Sequence, residues 1–194
     1  MTHIASNKAL EARHAIPARV WTAFATALLT DGMAWVALAF AGLASAAPAP
    51  PVVISEVMMA NTRTLKDEDG DTPDWIELWN PGTTAVDMGG MGLTDKPGKA
   101  RPWRLPQTQL PPSGRLLVWA SGKDRSVAGR PLHASFRLSG EEQRIALVAA
   151  DGKVLSEVEP SRWARVADVS VGLLAGPDSR WAYLPRPTPG ATNS

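Results

Sequence analysis

The sequence has 194 residues, no cysteine and a formal net charge of +1. The lack of cysteine excludes a disulfide framework. With only three histidines, two of them within the first fourteen residues, it also leaves too few ligands for a structural zinc site. Near-neutrality disfavours nucleic acid as a partner, because non-specific binding rests on neutralising phosphates.

The first 46 residues read as a secretory leader. Lys8, Arg13 and Arg19 precede an apolar run whose uninterrupted part is Met33–Leu43, and small residues follow at Ala44-Ser45-Ala46. The expected alternative is an uncleaved anchor over Val20–Ala46, with Asp31 near its middle. A membrane contact is expected only through that anchor. Cleavage after Ala46 leaves 148 residues, and the leader holds three of the 20 basic and two of the 19 acidic residues. The remainder is formally neutral, and its length suits one domain that buries about 68–70% of its unfolded surface. The expected location is secreted, periplasmic or cell-surface.

APAPP (47–51) is a stiff spacer. After it, short runs rich in Val, Ile, Leu and Trp alternate with Gly, Pro, Asn and Asp clusters, the pattern of an all-β sandwich or barrel. The predicted strands in chain order are Val52–Met59, Asp74–Asn80, Thr84–Met88, Met91–Thr94, Pro102–Leu105 and Arg115–Ala120. They continue with Ala134–Leu138, Arg144–Val148, Val154–Val158, Val169–Leu173 and Arg180–Leu184. Asn80-Pro81-Gly82 ends the second, and Asp151-Gly152 reads as a hairpin turn. DMGGMG (87–92) lacks a phosphate-loop Lys and a following helix, so it reads as a turn or bulge. The sandwich is expected over 52–185 and a proline-rich tail over 186–194.

Period two sorts the faces. In DWIELWN, Ile76 and Leu78 share one face while Trp75, Glu77 and Trp79 share the other. In RLLVWA both faces are apolar, which predicts a central strand and extra cover from loops.

The ordered segments ISEVMMAN (54–61), DWIELWNPG (74–82), GMGLTD (90–95), PWRLPQTQLPPSGRLLVWASGKD (102–124), LHASFRLSGEEQRIALVAADGKVLSEV (132–158) and PTPGATN (187–193) resemble the lamin tail domain, most closely its bacterial secreted form. The resemblance implies an immunoglobulin-like β-sandwich. It also implies a module of exported proteins without catalysis of its own. The expected role is binding or structural, with an unidentified protein or a surface polysaccharide as the partner. Such modules often accompany a kinase, nuclease or phosphoesterase. The alternative function is therefore an accessory piece of such a system, with the catalytic domain on another chain.

One stretch carries chemistry of its own. KDEDGDTPDWIELWN (66–80) places Asp67, Glu68, Asp69, Asp71, Asp74 and Glu77 within eleven positions. Alternating Asp around Gly70 offers oxygens to calcium, with Asp67, Asp69, Asp71, Asp74 and Glu77 as the candidate ligands. The spacing is not that of an EF-hand. Two other readings stand beside calcium: a solvated acidic loop, and a hydrolase using these carboxylates. Glycosidase chemistry needs two carboxyl groups facing across a cleft, whereas Asp74 and Glu77 fall on opposite faces of a strand.

His133 reads as an ordinary surface or edge-strand residue, with Ser135 and Ser139 its nearest serines and no nucleophile elbow. The six tryptophans after the leader read first as packing. An exposed pair, Trp75 and Trp79, able to stack on sugars or anchor a protein, is the alternative. Arg101, Arg104, Arg115, Arg125, Arg130 and Arg137 read as solvated strand faces, with a polyanion site as the alternative.

Overall fold

The structure is a computed structural model that describes residues 51–98, 101–138, 144–176 and 179–194. The expected leader 1–46 and residues 47–50 of the spacer lie outside the described residues.

Among the described residues, twelve strands form three sheets. In chain order they are β1 (Val53–Met58), β2 (Trp75–Trp79), β3 (Val86–Asp87), β4 (Gly92–Thr94), β5 (Trp103–Arg104) and β6 (Gln109–Leu110). The rest are β7 (Arg115–Trp119), β8 (Leu132–His133), β9 (Ile145–Val148), β10 (Val154–Val158), β11 (Ser170–Leu174) and β12 (Arg180–Leu184). The large sheet runs β12-β11-β1-β2-β7-β8, the small one β10-β9-β4-β5, and β3 pairs with β6. Every pairing is antiparallel except β7 with β8.

The two sheets bury one main core between them. Ile54, Val57, Ile76, Leu78, Val118 and Val171 come from the large sheet. Leu93, Trp103, Ile145, Leu147 and Val158 come from the small one. Ile76 and Leu78 point inward as the period-two pattern predicts. The turn after β2 closes through buried Asn80. Its amide donates to the carbonyls of Thr84, Leu110 and Pro111, and its oxygen accepts from Gly82 N–H. The β9–β10 turn places Gly152 at φ +91°, where a side chain would be strained.

The strand pattern differs from the predicted one at two places. Ala134–Leu138 is not a strand: the parallel pairing with β7 falls earlier, at Leu132–His133, and Arg137 joins Ser121 through an isolated β-bridge. β6 is two residues long, too short for any periodicity to reveal.

The outer face of the large sheet is also covered. Both faces of β7 are apolar, as expected, but β7 lies next to the edge rather than in the middle. Met58, Trp75 and Trp119 form a second buried cluster on this side, with Leu65 and Leu117 against it. Trp75 is fully buried, which removes it from an exposed tryptophan pair. Further along, β1 carries a bulge: its register slips between Ile54 and Glu56. Ser55 is the extra residue, so Ile54 stays in the core while Glu56 sits opposite Glu77 on the outer side.

The tail closes this region. Thr188 donates its N–H and hydroxyl to Glu56, Gly190 donates its N–H to Glu77, and Asn193 donates to the carbonyls of Ser55 and Leu173. Gly172 makes room for it. A Cβ there would lie 2.6 Å from Asn193 Nδ2 and 2.5 Å from Leu184 Cδ1. Through Thr188, Gly190 and Asn193 the tail is thus fastened to the sheet.

Candidate functional site

The acidic loop is fixed at both ends. Asn61 donates its side-chain amide to the carbonyls of Leu65 and Pro73, and its oxygen accepts from Thr64 and Leu65 N–H. Asp168 accepts from the N–H groups of Thr62 and Arg63 and from the Thr62 hydroxyl. Those bonds, the Thr62 hydroxyl foremost, hold the Asp168 carboxyl below its usual range.

Asp67 organises the loop interior. Its Oδ1 accepts from the N–H groups of Asp69 and Asp71, and Gly70 turns the chain at φ +84°. Its Oδ2 lies 2.5 Å from Lys123 Nζ. The same ammonium is 2.7 Å from Asp69 and 2.8 Å from Asp71. Burial alone would raise the Asp67 carboxyl. Lys123 and the two N–H groups outweigh it and bring Asp67 below its usual value. Asp69 is lowered first by Lys123, then by Arg125. Lys123 in turn is held well above the usual lysine range by Asp67, Asp69 and Asp71.

The five residues expected as one cation set therefore occupy three places. Asp67, Asp69 and Asp71 converge, with carboxylate oxygens within 4.8 Å of one another and Lys123 Nζ among them. Asp74 faces elsewhere: it accepts from Asn61 N–H and lies 3.2 Å from Arg165, and burial raises its carboxyl. Glu77 points to the outer face of β2. There Arg115 lies 2.5 Å away, with its guanidinium over the Trp79 ring, and the Ser55 hydroxyl 2.7 Å away. Pro73 separates loop from strand, so period two carries Glu77 away from the loop.

Sequence reasoning missed a second array. His133 is fully buried at the sheet edge, on β8 as an edge-strand residue but not on the surface. Its Nδ1 is 2.9 Å from Ser121 Oγ and its Nε2 2.9 Å from Glu68. An Nε2–H donating to the Glu68 carboxylate leaves Nδ1 to pair with the Ser121 hydroxyl, which can donate or accept. Ser121, twelve residues away, replaces the sequence neighbours Ser135 and Ser139. Only the fold reveals it, because the β7–β8 pairing sets Trp119 opposite His133 and so brings the residues after Trp119 to the ring. Burial raises the Glu68 carboxyl, but hydrogen bonds from its own backbone, His133 and Arg125 bring it below its usual range.

Serine, histidine and glutamate in a row are the parts of a nucleophile relay. Here Ser121 is 97% buried and its Oγ also accepts from Lys123 N–H, while the ring stacks on Trp119 at 6.3 Å. The array fastens the acidic loop to the ends of β7 and β8. Beside it a cleft of about 470 Å³ is lined by Asp71, Thr72, Asp74, Ser121, Lys123 and Arg137.

Two sheets around one core, with the charged loop secured by internal pairs, define an all-β sandwich module. The chain belongs to the lamin tail domain family, whose model matches residues 45–162. That family is immunoglobulin-like and consistent with a non-catalytic module. No curated protein matches the chain.

Proposed function

We propose that the chain is an exported, non-catalytic module of the lamin tail type that acts by binding. The observation that carries this reading is how the reactive groups are used. Asp67, Asp69 and Asp71 share Lys123, Glu68 holds His133, and Glu77 is ion-paired with Arg115. Catalytic carboxylates work as a facing pair across a cleft, and Asp74 and Glu77 have separate partners on separate faces.

Two measurements test it. N-terminal sequencing of the protein recovered outside the cytoplasm is expected to read from Ala47, and a membrane-bound product retaining Met1 would favour the anchor instead. A panel of glycosides and phosphate esters is expected to show no turnover. Turnover abolished by Ser121→Ala or Glu77→Gln would overturn the non-catalytic reading.

Calcium is a second reading, favoured by the convergence of Asp67, Asp69 and Asp71. An ion there must displace the Lys123 ammonium, so the lysine acts as an internal competitor. Comparing Tm in millimolar calcium and in chelator, for the parent and for Lys123→Met, decides it. At 100 times Kd a folded-state ligand adds about 2.7 kcal/mol. A calcium shift that is larger in the variant supports the site; none in either protein removes it.

A further inference from the structure

The flank of the sandwich holds a notch distinct from the acidic loop. β12 is an edge strand of the large sheet and β10 an edge strand of the small one. Arg144, Glu157, Glu159, Arg162, Trp163 and Trp181 line a cavity of about 290 Å³ there. Both indoles are half-buried and pack against the main core, so one side of the pair is fixed. Their centroids lie 5.9 Å apart and their planes meet at 47°. Trp181 is held by β12, opposite Leu173 of β11. Trp163 follows a 3-10 turn at Pro160–Arg162 and donates its backbone N–H to the Pro160 carbonyl, and the next backbone N–H, of Ala164, donates to the Tyr183 hydroxyl. The aromatic surface is thus set before a ligand arrives, which lowers the entropic cost of binding.

The rim decides the ligand class. Arg144 pairs with Glu157 and lies 3.5 Å from Glu159, which also pairs with Arg162. Two guanidinium groups and two carboxylates leave the rim with no net charge but with donors and acceptors side by side. A phosphate would meet both carboxylates, and a cation both guanidinium groups. A proline-rich peptide brings carbonyl acceptors but no N–H at its prolines, so Glu157 and Glu159 would go unserved. A sugar ring presents an apolar C–H face to an indole, and hydroxyls that both donate and accept at its edge. The volume is at about the lower end for small-ligand sites, which suits a short glycan segment.

We propose that this notch binds a neutral oligosaccharide, stacked on Trp163 and Trp181 and hydrogen-bonded by Arg144, Glu157, Glu159 and Arg162. This rests on the binding-module reading and names its ligand. The family match ends at Arg162, so both stacking residues lie beyond it.

The test uses the full chain on an array of neutral glucose, mannose and N-acetylglucosamine oligomers, beside uronic-acid oligomers and an Ala-Pro repeat peptide. At least one neutral oligomer is expected to be retained. Trp163→Ala and Trp181→Ala are expected to weaken it at least about tenfold, the equivalent of about 1.4 kcal/mol. Glu159→Gln, which keeps both indoles and so guards against a folding failure, is expected to weaken it several-fold. Retention of no neutral oligomer overturns the proposal, as does retention unchanged by Glu159→Gln and by whichever tryptophan variant stays folded. Capture of the Ala-Pro peptide alone overturns the glycan assignment and leaves the binding-module reading standing. Shortening of a retained oligomer would overturn the non-catalytic reading and leave the notch as its glycan site.

Discussion

At the scale of single residues, the fold depends on a few polar groups buried where a strand pattern expects apolar ones. Arg115 and Glu77 form an ion pair with side chains 10% and 1% exposed. Removing one partner strands the other, which typically costs about 3–5 kcal/mol. Arg115→Ala is therefore expected to lower stability by about that much in a denaturant titration, whereas an exposed arginine such as Arg180 is expected to change it by less than about 0.5 kcal/mol. Trp75 carries the opposite defect: its indole N–H is buried without a hydrogen-bond partner. Trp75→Phe keeps most of the ring and removes the stranded donor, so its cost is expected to stay within about 1.5 kcal/mol. Trp75→Ala opens a cavity and is expected to cost about 3–5 kcal/mol. A phenylalanine variant as unstable as the alanine one would show that the indole nitrogen has a partner.

At the scale of elements, the sequence was most legible where a strand is long and bounded by turn residues. Asp74–Asn80, Arg144–Val148 and the Asp151-Gly152 hairpin follow from period two and turn chemistry alone. What escaped was set by other strands. The Ser55 bulge places Glu56 beside Glu77, and no local pattern marks it. The partner of His133 is fixed by the parallel pairing of β7 with β8. Likewise PTPGATN reads as a polar tail, yet its N–H groups are the donors that two buried carboxylates need. The convergence of Asp67, Asp69 and Asp71 was legible because their alternation is local, whereas the positions of Asp74 and Glu77 belong to the sheet. Deleting Pro187–Ser194 is accordingly expected to destabilise the domain by at least about 2 kcal/mol, since hydrogen bonds to charged groups contribute about 1.5–3 kcal/mol each. Gly172→Ala should do part of the same damage by displacing Asn193. A truncated protein with unchanged Tm would show that the tail does not cover Glu56 and Glu77 in solution.

At the scale of the whole molecule, these pairs give the domain a pH profile with two separate limbs. Asp67, Glu68, Asp69 and Asp168 are all held below their ordinary values of 3.8 or 4.5. Their contribution is present above those values and is lost as pH falls through the lower folded ones, because the unfolded chain then binds more protons. Glu56 works the other way. Burial raises its carboxyl above 4.5, and Glu77 opposite adds to this, against the hydrogen bonds from Ser170 and Thr188. Here the folded state holds the proton longer, so stability is highest below 4.5 and declines as pH rises through the raised folded value. The same sign applies to Asp74, raised by burial. Tm is therefore expected to climb from strongly acidic pH, peak in the mildly acidic range and fall toward neutrality. Each limb has its own variant. Lys123→Met removes the ammonium that lowers Asp67 and Asp69, and should flatten the acid limb. Glu56→Gln should leave the acid limb alone and extend the plateau to neutral pH. The glutamine amide can donate to Thr188 Oγ1, whose hydroxyl then turns to Asn193 Oδ1 at 3.0 Å, so the tail keeps its contacts. Tm measured from pH 3 to 8 for the three proteins separates the limbs. A neutral-pH decline that persists unchanged in Glu56→Gln would assign that limb to Asp74 instead.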